Sequence, residues 1–130
     1  MNKVTATTLG IEVSVEPRFH PEMSKPSLKK FVHSYKVSIK NFSGRPVQLL
    51  RREWIITDAH RKVRVVKGEG VIGEQPTLLH DGVHNYKSWC PLSTPVGKMS
   101  GTYEMLSLVD ETTFEVTVPE FRLIAPFKEN

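Results

Sequence analysis

Apolar residues in this chain recur at every second position. Ile11, Val13 and Val15 alternate with Glu12, Ser14 and Glu16. Phe31, His33, Tyr35, Val37 and Ile39 alternate with Val32, Ser34, Lys36, Ser38 and Lys40, and Phe114, Val116 and Val118 alternate with Glu115 and Thr117. A period of two sends successive side chains to opposite faces of an extended strand, so each segment has one side to bury and one side for water. Antiparallel sheets with a single covered face carry this pattern. No stretch keeps apolar positions at the helical spacing i, i+3, i+4, i+7.

Segments 47–57, 62–67, 83–89 and 99–108 alternate less cleanly, but their β-branched and aromatic residues read as further strands. Turn-forming residues separate the runs at Asn41 to Pro46, Asp58 to Arg61, Gly68 to Pro76, Asp81–Gly82, Pro91 to Gly97 and Asp110 to Thr112. Short strands with regular turns predict an all-β chain, an immunoglobulin or fibronectin type III-like β-sandwich of two antiparallel sheets with about seven or eight strands. One such domain spans residues 1–130. The expected core is Ile11, Val13, Val15, Tyr35, Val37, Ile39, Trp54, Ile56, Tyr103, Met105, Phe114, Val116 and Val118. His20 to Ser27, with Pro21 and Pro26, reads as a loop over one end of the sandwich.

Charge narrows the partner. Lys plus Arg number 18 against 14 Asp plus Glu, a net charge of +4. That is less than the dense basic stripe of a dedicated nucleic-acid binder, so no specific nucleic acid is expected. Cys90 is alone and cannot form an intrachain disulfide. The start has no continuous apolar signal region, and no apolar run approaches ~18 residues. The expectation is a cytoplasmic protein without membrane insertion, a monomer or weak homodimer.

Gly68, Gly70 and Gly73 spell G-x-G-x-x-G directly after a β-branched run. In dinucleotide-binding folds this spacing works because a helix opens at the end of the motif and offers free amides to the pyrophosphate. Here Pro76 follows closely, the helical period is missing, and Glu69 and Glu74 would repel phosphate. The glycines are therefore expected to serve a loop needing positive φ or close backbone approach. That loop would present Gly68, Glu69, Gly70, Gly73 and Glu74 to another protein. The alternative is a small-ligand protein that holds a phosphate or nucleotide at Gly68–Gly73.

Other candidate chemistry is sparse. His80 and His84 flank an Asp81–Gly82 turn and lack further ligands nearby, so no metal site is expected. His33 falls on an apolar side and reads as a hydrogen-bonded core histidine. Cys90, between Trp89 and Pro91, reads as a small buried apolar residue. No nucleophile motif stands out, so no catalytic residues and no cofactor are assigned. Arg45, Arg51, Arg52, Arg61, Lys62, Arg64 and Lys67 cluster, and on a hairpin Arg52, Arg61 and Arg64 would share a face. Such a face is either merely solvated or docks an acidic partner or polyanion.

Taken together, "YKVSIKN" (35–41), "QLLRREWIITDA" (48–59), "VKGEGVIGEQP" (66–76), "CPLSTPVGKMSGTYEM" (90–105) and "FEVTVPEFRL" (114–123) resemble the ApaG family, in order and over nearly the whole chain. Departures are local: Glu53 where the family tends to have His, His80 where Pro is usual, Trp89 where Gly is usual, and a shorter turn near Gly82. The resemblance implies a fibronectin type III-like sandwich. It also implies an association with cobalt resistance and magnesium efflux, without known enzymatic activity, in bacterial members. Similar domains in F-box proteins and a DNA polymerase-interacting protein look like protein-binding modules. The function expected is a non-catalytic protein-interaction domain with an indirect link to cobalt or magnesium efflux.

Overall fold

The computed structural model describes residues 2–126. Nine strands follow in chain order: β1 Val4–Thr8, β2 Ile11–Phe19, β3 Phe31–Asn41, β4 Val47–Asp58, β5 Val63–Glu69, β6 Thr77–Leu78, β7 Val83–Leu92, β8 Val96–Ser107 and β9 Thr113–Ile124. Two single 3-10 turns, Pro21–Met23 and Pro26–Leu28, interrupt the β2–β3 connection. One sheet has the order β1-β2-β3-β7. The other runs β5-β4-β8-β9, with β6 paired to the start of β4. All pairings are antiparallel.

The alternation predicted from sequence is the reason for this architecture. In β2 and β3, Ile11, Val13, Val15, Tyr35, Val37 and Ile39 are all buried, and the facing sheet contributes Trp54, Ile56, Tyr103, Met105, Val116 and Val118. Aromatic rings tie the layers together: Tyr35 meets Trp54 at 5.4 Å and Phe121 at 5.6 Å between centroids. The hydroxyls of Tyr86 on β7 and Tyr103 on β8 are hydrogen-bonded to each other between the sheets. β1 and β2 lie against β9, and Thr117 N donates to Thr8 Oγ1 at 3.2 Å.

Several expectations change in detail. Phe114 is half-buried against the core instead of inside it. The turn expected over Pro91 to Gly97 shrinks to Ser93–Pro95, because β7 runs through Pro91 to Leu92 and β8 begins at Val96. The His20–Ser27 segment does more than cap an end. It folds over the outer face of β3, where Ser24 Oγ accepts from Val32 N at 2.9 Å. This cover is why Val32 and Ser34, on the expected water side of β3, are buried.

Candidate functional site

The glycine segment is a splice along the edge of β4. β5 pairs with Arg51–Thr57, and β6 pairs with Val47 and Gln48. Between them Gly70 N donates to Leu50 O at 2.8 Å, Gln75 Nε2 to the same oxygen at 3.0 Å, and Leu49 N to Pro76 O at 3.0 Å. Val71 and Glu74 exchange backbone bonds of 2.8 and 3.0 Å across Ile72 and Gly73. Both turn residues are left-handed, with φ of 48° and 72°, as a two-residue type I′ hairpin turn requires. Gly70 has φ 63°, and a Cβ there would overlap the Glu74 carbonyl oxygen.

Gly68 is different. It lies within β5 opposite Arg52, and a Cβ would sit 2.7 Å from Arg52 Nη1. The missing side chain lets the guanidinium lie across the strand and donate to Glu69 O at 3.1 Å and Gly70 O at 2.9 Å. Gly70 and Gly73 thus answer backbone needs of the loop, and Gly68 makes room for the Arg52 side chain. The Gly70 amide is engaged by β4 and those of Val71 and Glu74 by each other's carbonyls, and the chain continues into β6, not a helix. Glu69 and Glu74 are exposed beside it.

The three candidate arginines are separated. Arg52 and Arg64 both have the parity of the inner face, opposite Gly68 and Ile56, but lie at opposite ends of the β4–β5 ladder. Arg64 reaches across to the other sheet, with Nη2 3.5 Å from Pro91 O and 3.9 Å from Cys90 Sγ. Arg61 sits in the turn before β5 at φ 64° and shares a shallow groove with Lys98 and Arg122. Arg64 instead lines a groove with Lys62, Lys29 and Lys30, between the start of β5 and the end of β7. The acid in that groove, Asp58, already accepts from the amides of His60 and Lys62 at 2.8 and 3.0 Å. Lys29 and Lys30 come from the β2–β3 connection, so chain proximity to the arginines did not reveal them.

β5 ends its sheet. At the two ends of its ladder, Gly70 N bonds Leu50 O, and Lys62 O accepts from Asp58 N at 3.1 Å. Even-numbered positions therefore face β4, and the backbone groups of Val63, Val65 and Lys67 face away from it. On the outer face, Val63, Val65 and the neighbouring Ile55 are 61%, 51% and 40% exposed. The other sheet edges are blunted in familiar ways. β1 is short, β7 carries Lys87 and Pro91, and β9 carries Pro119 and lies under Thr8.

A constellation that the sequence did not disclose lies under the β2–β3 connection. His20 Nε2 is 2.6 Å from Ser34 Oγ, and His20 Nδ1 is 2.9 Å from Glu22 Oε1. This is the connectivity of a serine–histidine–acid triad. Ser34 is only 2% exposed, and the Trp89 ring packs 4.7 Å from the His20 ring. The hydroxyl is enclosed, and the three groups staple the connection onto β3. His33, on the inner face, departs from expectation: it is 1% exposed, and its Nε2 has no hydrogen-bond partner. Burial, and secondarily the positive charge of His20, lower its pKa to about 4. Burial likewise pushes the Cys90 thiol up, and the Arg64 guanidinium only partly offsets this, which disfavours the reactive thiolate. Among the described residues, no group of three or more His, Cys, Asp or Glu is placed to hold a metal ion, and no helix is long and apolar enough to cross a membrane.

Known proteins share both sequence and geometry with this chain. "Protein ApaG" of Paramagnetospirillum magneticum is 46% identical over 95% of this chain and 94% of its own length. "Protein ApaG" of Acidithiobacillus ferrooxidans is 48% identical over 88% of this chain and 90% of its own. The crystal structure of an ApaA protein from Bordetella pertussis superimposes with a TM-score of 0.86 at 43% identity, covering 91% of this chain and 95% of that one. The ApaG domain family model matches residues 21–107, which runs from the β2–β3 connection to the end of β8. With relatives of this identity along almost its full length, the chain belongs to the ApaG domain family.

Proposed function

We propose that this chain is a non-catalytic protein-interaction domain whose contact surface is the β5 side of the sandwich. The observation that carries the reading is the exposed stripe of Ile55, Val63 and Val65 beside an unpaired strand edge. Contiguous exposed apolar side chains mark surfaces that meet another molecule. The reading places the link to cobalt or magnesium efflux, which the family resemblance suggests, in the partner.

Affinity capture tests this reading. Immobilised wild-type chain should retain a protein that a Val63→Lys/Val65→Lys variant, folded to the same unfolding midpoint, does not. Equal retention by both, or by neither, refutes the assignment of the surface. Calorimetric titration with ATP and NAD tests the competing phosphate or nucleotide reading of Gly68–Gly73. No binding heat is expected. Micromolar binding lost in a folded Gly70→Ala variant would favour that reading instead.

A further inference from the structure

We propose that the free edge of β5 accepts an extended acidic peptide segment of another protein as an added β-strand. The segment would carry acidic residues at alternate positions toward the Lys29–Lys30–Lys62–Arg64 groove and apolar residues between them. This rests on the interaction reading above and names the chemistry of its partner.

Three observations converge on the same side of the molecule. The backbone groups of Val63, Val65 and Lys67 face away from β4, and they form the donor and acceptor row that strand addition uses. The side chains of β5 divide by parity. Val63 and Val65 stand on the outer face with Ile55, while Arg64 stands on the inner face. An added strand alternates in the same way, so its outward residues extend the valine stripe and its inward residues lie over the groove. That groove gathers four cations from two separate chain segments, and its acid, Asp58, is held by two backbone amides.

The charge pattern selects the occupant. A second copy pairing antiparallel to β5 would set Arg64 against itself when centred on Arg64, and opposite Val66 when centred on Val65, so in neither register does it bring an acid to the groove. A nucleic-acid backbone would use the cations but would leave the valine stripe and the strand edge without partners. An acidic strand satisfies the cations, the valines and the edge amides at once. The remaining edges are short, proline-bearing or covered, which leaves β5 as the open one among the described residues.

The experiment uses fluorescence anisotropy with a labelled peptide of alternating Glu and Val flanked by Thr. Binding is expected to weaken about tenfold in each of three cases, a loss equivalent to about 1.4 kcal/mol. The first is a Glu→Gln version of the peptide. The second is a version N-methylated at the amides that would face β5. The third is a Lys30→Glu/Lys62→Glu variant of the protein. Val65→Pro, which removes an outward amide without touching the β4 ladder, should also weaken binding. The charge-reversal variant keeps the test decisive should that proline disturb the fold.

Equal binding of the N-methylated peptide overturns strand addition, and equal binding of the Gln peptide overturns the acidic preference. A wild-type dimer in sedimentation that Val65→Pro dissociates assigns the edge to a second copy instead. An oligonucleotide that displaces the peptide and binds Val65→Pro as well as wild type assigns the groove to a polyanion. If the acidic peptide does not bind while capture sensitive to Val63→Lys/Val65→Lys persists, strand addition falls and the interaction reading stands. If both are absent, both fall.

Discussion

β3 and β5 are both strands by composition, and they meet opposite fates. β3 lies between two neighbours in its sheet, faces the other sheet on one side, and is covered over its first half by the His20–Lys30 connection on the other. β5 has one neighbour, and nearly all its residues are exposed. The same β-branched chemistry therefore builds core in one place and surface in the other. Propensity makes the strand, but the elements packed around it decide what the strand is for. Three valines of β5, Val63, Val65 and Val66, stay exposed, and the interaction proposed for this edge would give that exposure a role.

Substitutions should separate the two regions clearly. Trp54→Ala, which removes the ring that β3's Tyr35 packs against, should destabilise by about 3–5 kcal/mol. A urea unfolding series measures it, and a loss below ~1 kcal/mol would mean the β3–β4 contact is not the core's centre. His33 on β3 gives the next largest effect. Its folded pKa is about 4 against an ordinary value of 6.5. Between those values the unfolded chain binds more protons than the folded one. Stability is therefore lost as pH falls from about 6.5 to about 4, by on the order of 2–3 kcal/mol, and levels off below. His33→Phe should flatten that limb, so an unchanged pH slope in the variant contradicts the assignment.

The β5 side should respond more weakly. Gly70→Ala must place a Cβ against a carbonyl at positive φ and should cost about 1–3 kcal/mol. Gly73→Asn, with open space around it, should cost less than ~1 kcal/mol. Thermal unfolding of the pair compares them, and equal losses would mean that φ alone governs both sites. Val65→Thr should change stability by less than ~0.5 kcal/mol, while the peptide titration detects its effect on binding. A loss as large as that of Trp54→Ala would show that β5 is structural and end the contrast with β3.

Local pattern carried the core of the fold. Ile11, Val13, Val15, Tyr35, Val37 and Ile39 could be read because a strand packed on one face repeats every two residues. β1, "VTATT", escaped because it is short and carries few large apolar side chains. β6 escaped because its two residues are a strand only by virtue of the β4 edge beside them. That Arg52 and Arg64 share a face was legible, but not that this face is the inner one; the Asp58–Arg61 turn was legible as well, but not that it takes Arg61 off that face. Lys29, Lys30 and the His20–Ser34 contact depend on packing between distant segments, which spacing along a chain does not encode. The exposure of Val63 and Val65 was equally hidden, because a valine in a strand reads the same whether or not a second layer covers it.

The contact of β1 and β2 with β9 has a temporal meaning. The first strands of this domain to be synthesised rest on its last one, about a hundred positions later in the chain. Local hairpins such as β8–β9 can form on their own, but the side of the sandwich that β9 closes cannot be completed while its residues are still being added. Until then Ile11, Val13 and Val15 have no final shelter, and the nascent chain carries a sticky N-terminal hairpin. Contacts this distant also make folding slow for the chain's size, in the millisecond-to-second range typical of sandwiches. A stalled or prematurely terminated product ending before Phe121 should therefore be a target for chaperones and proteases, not a smaller version of the same domain.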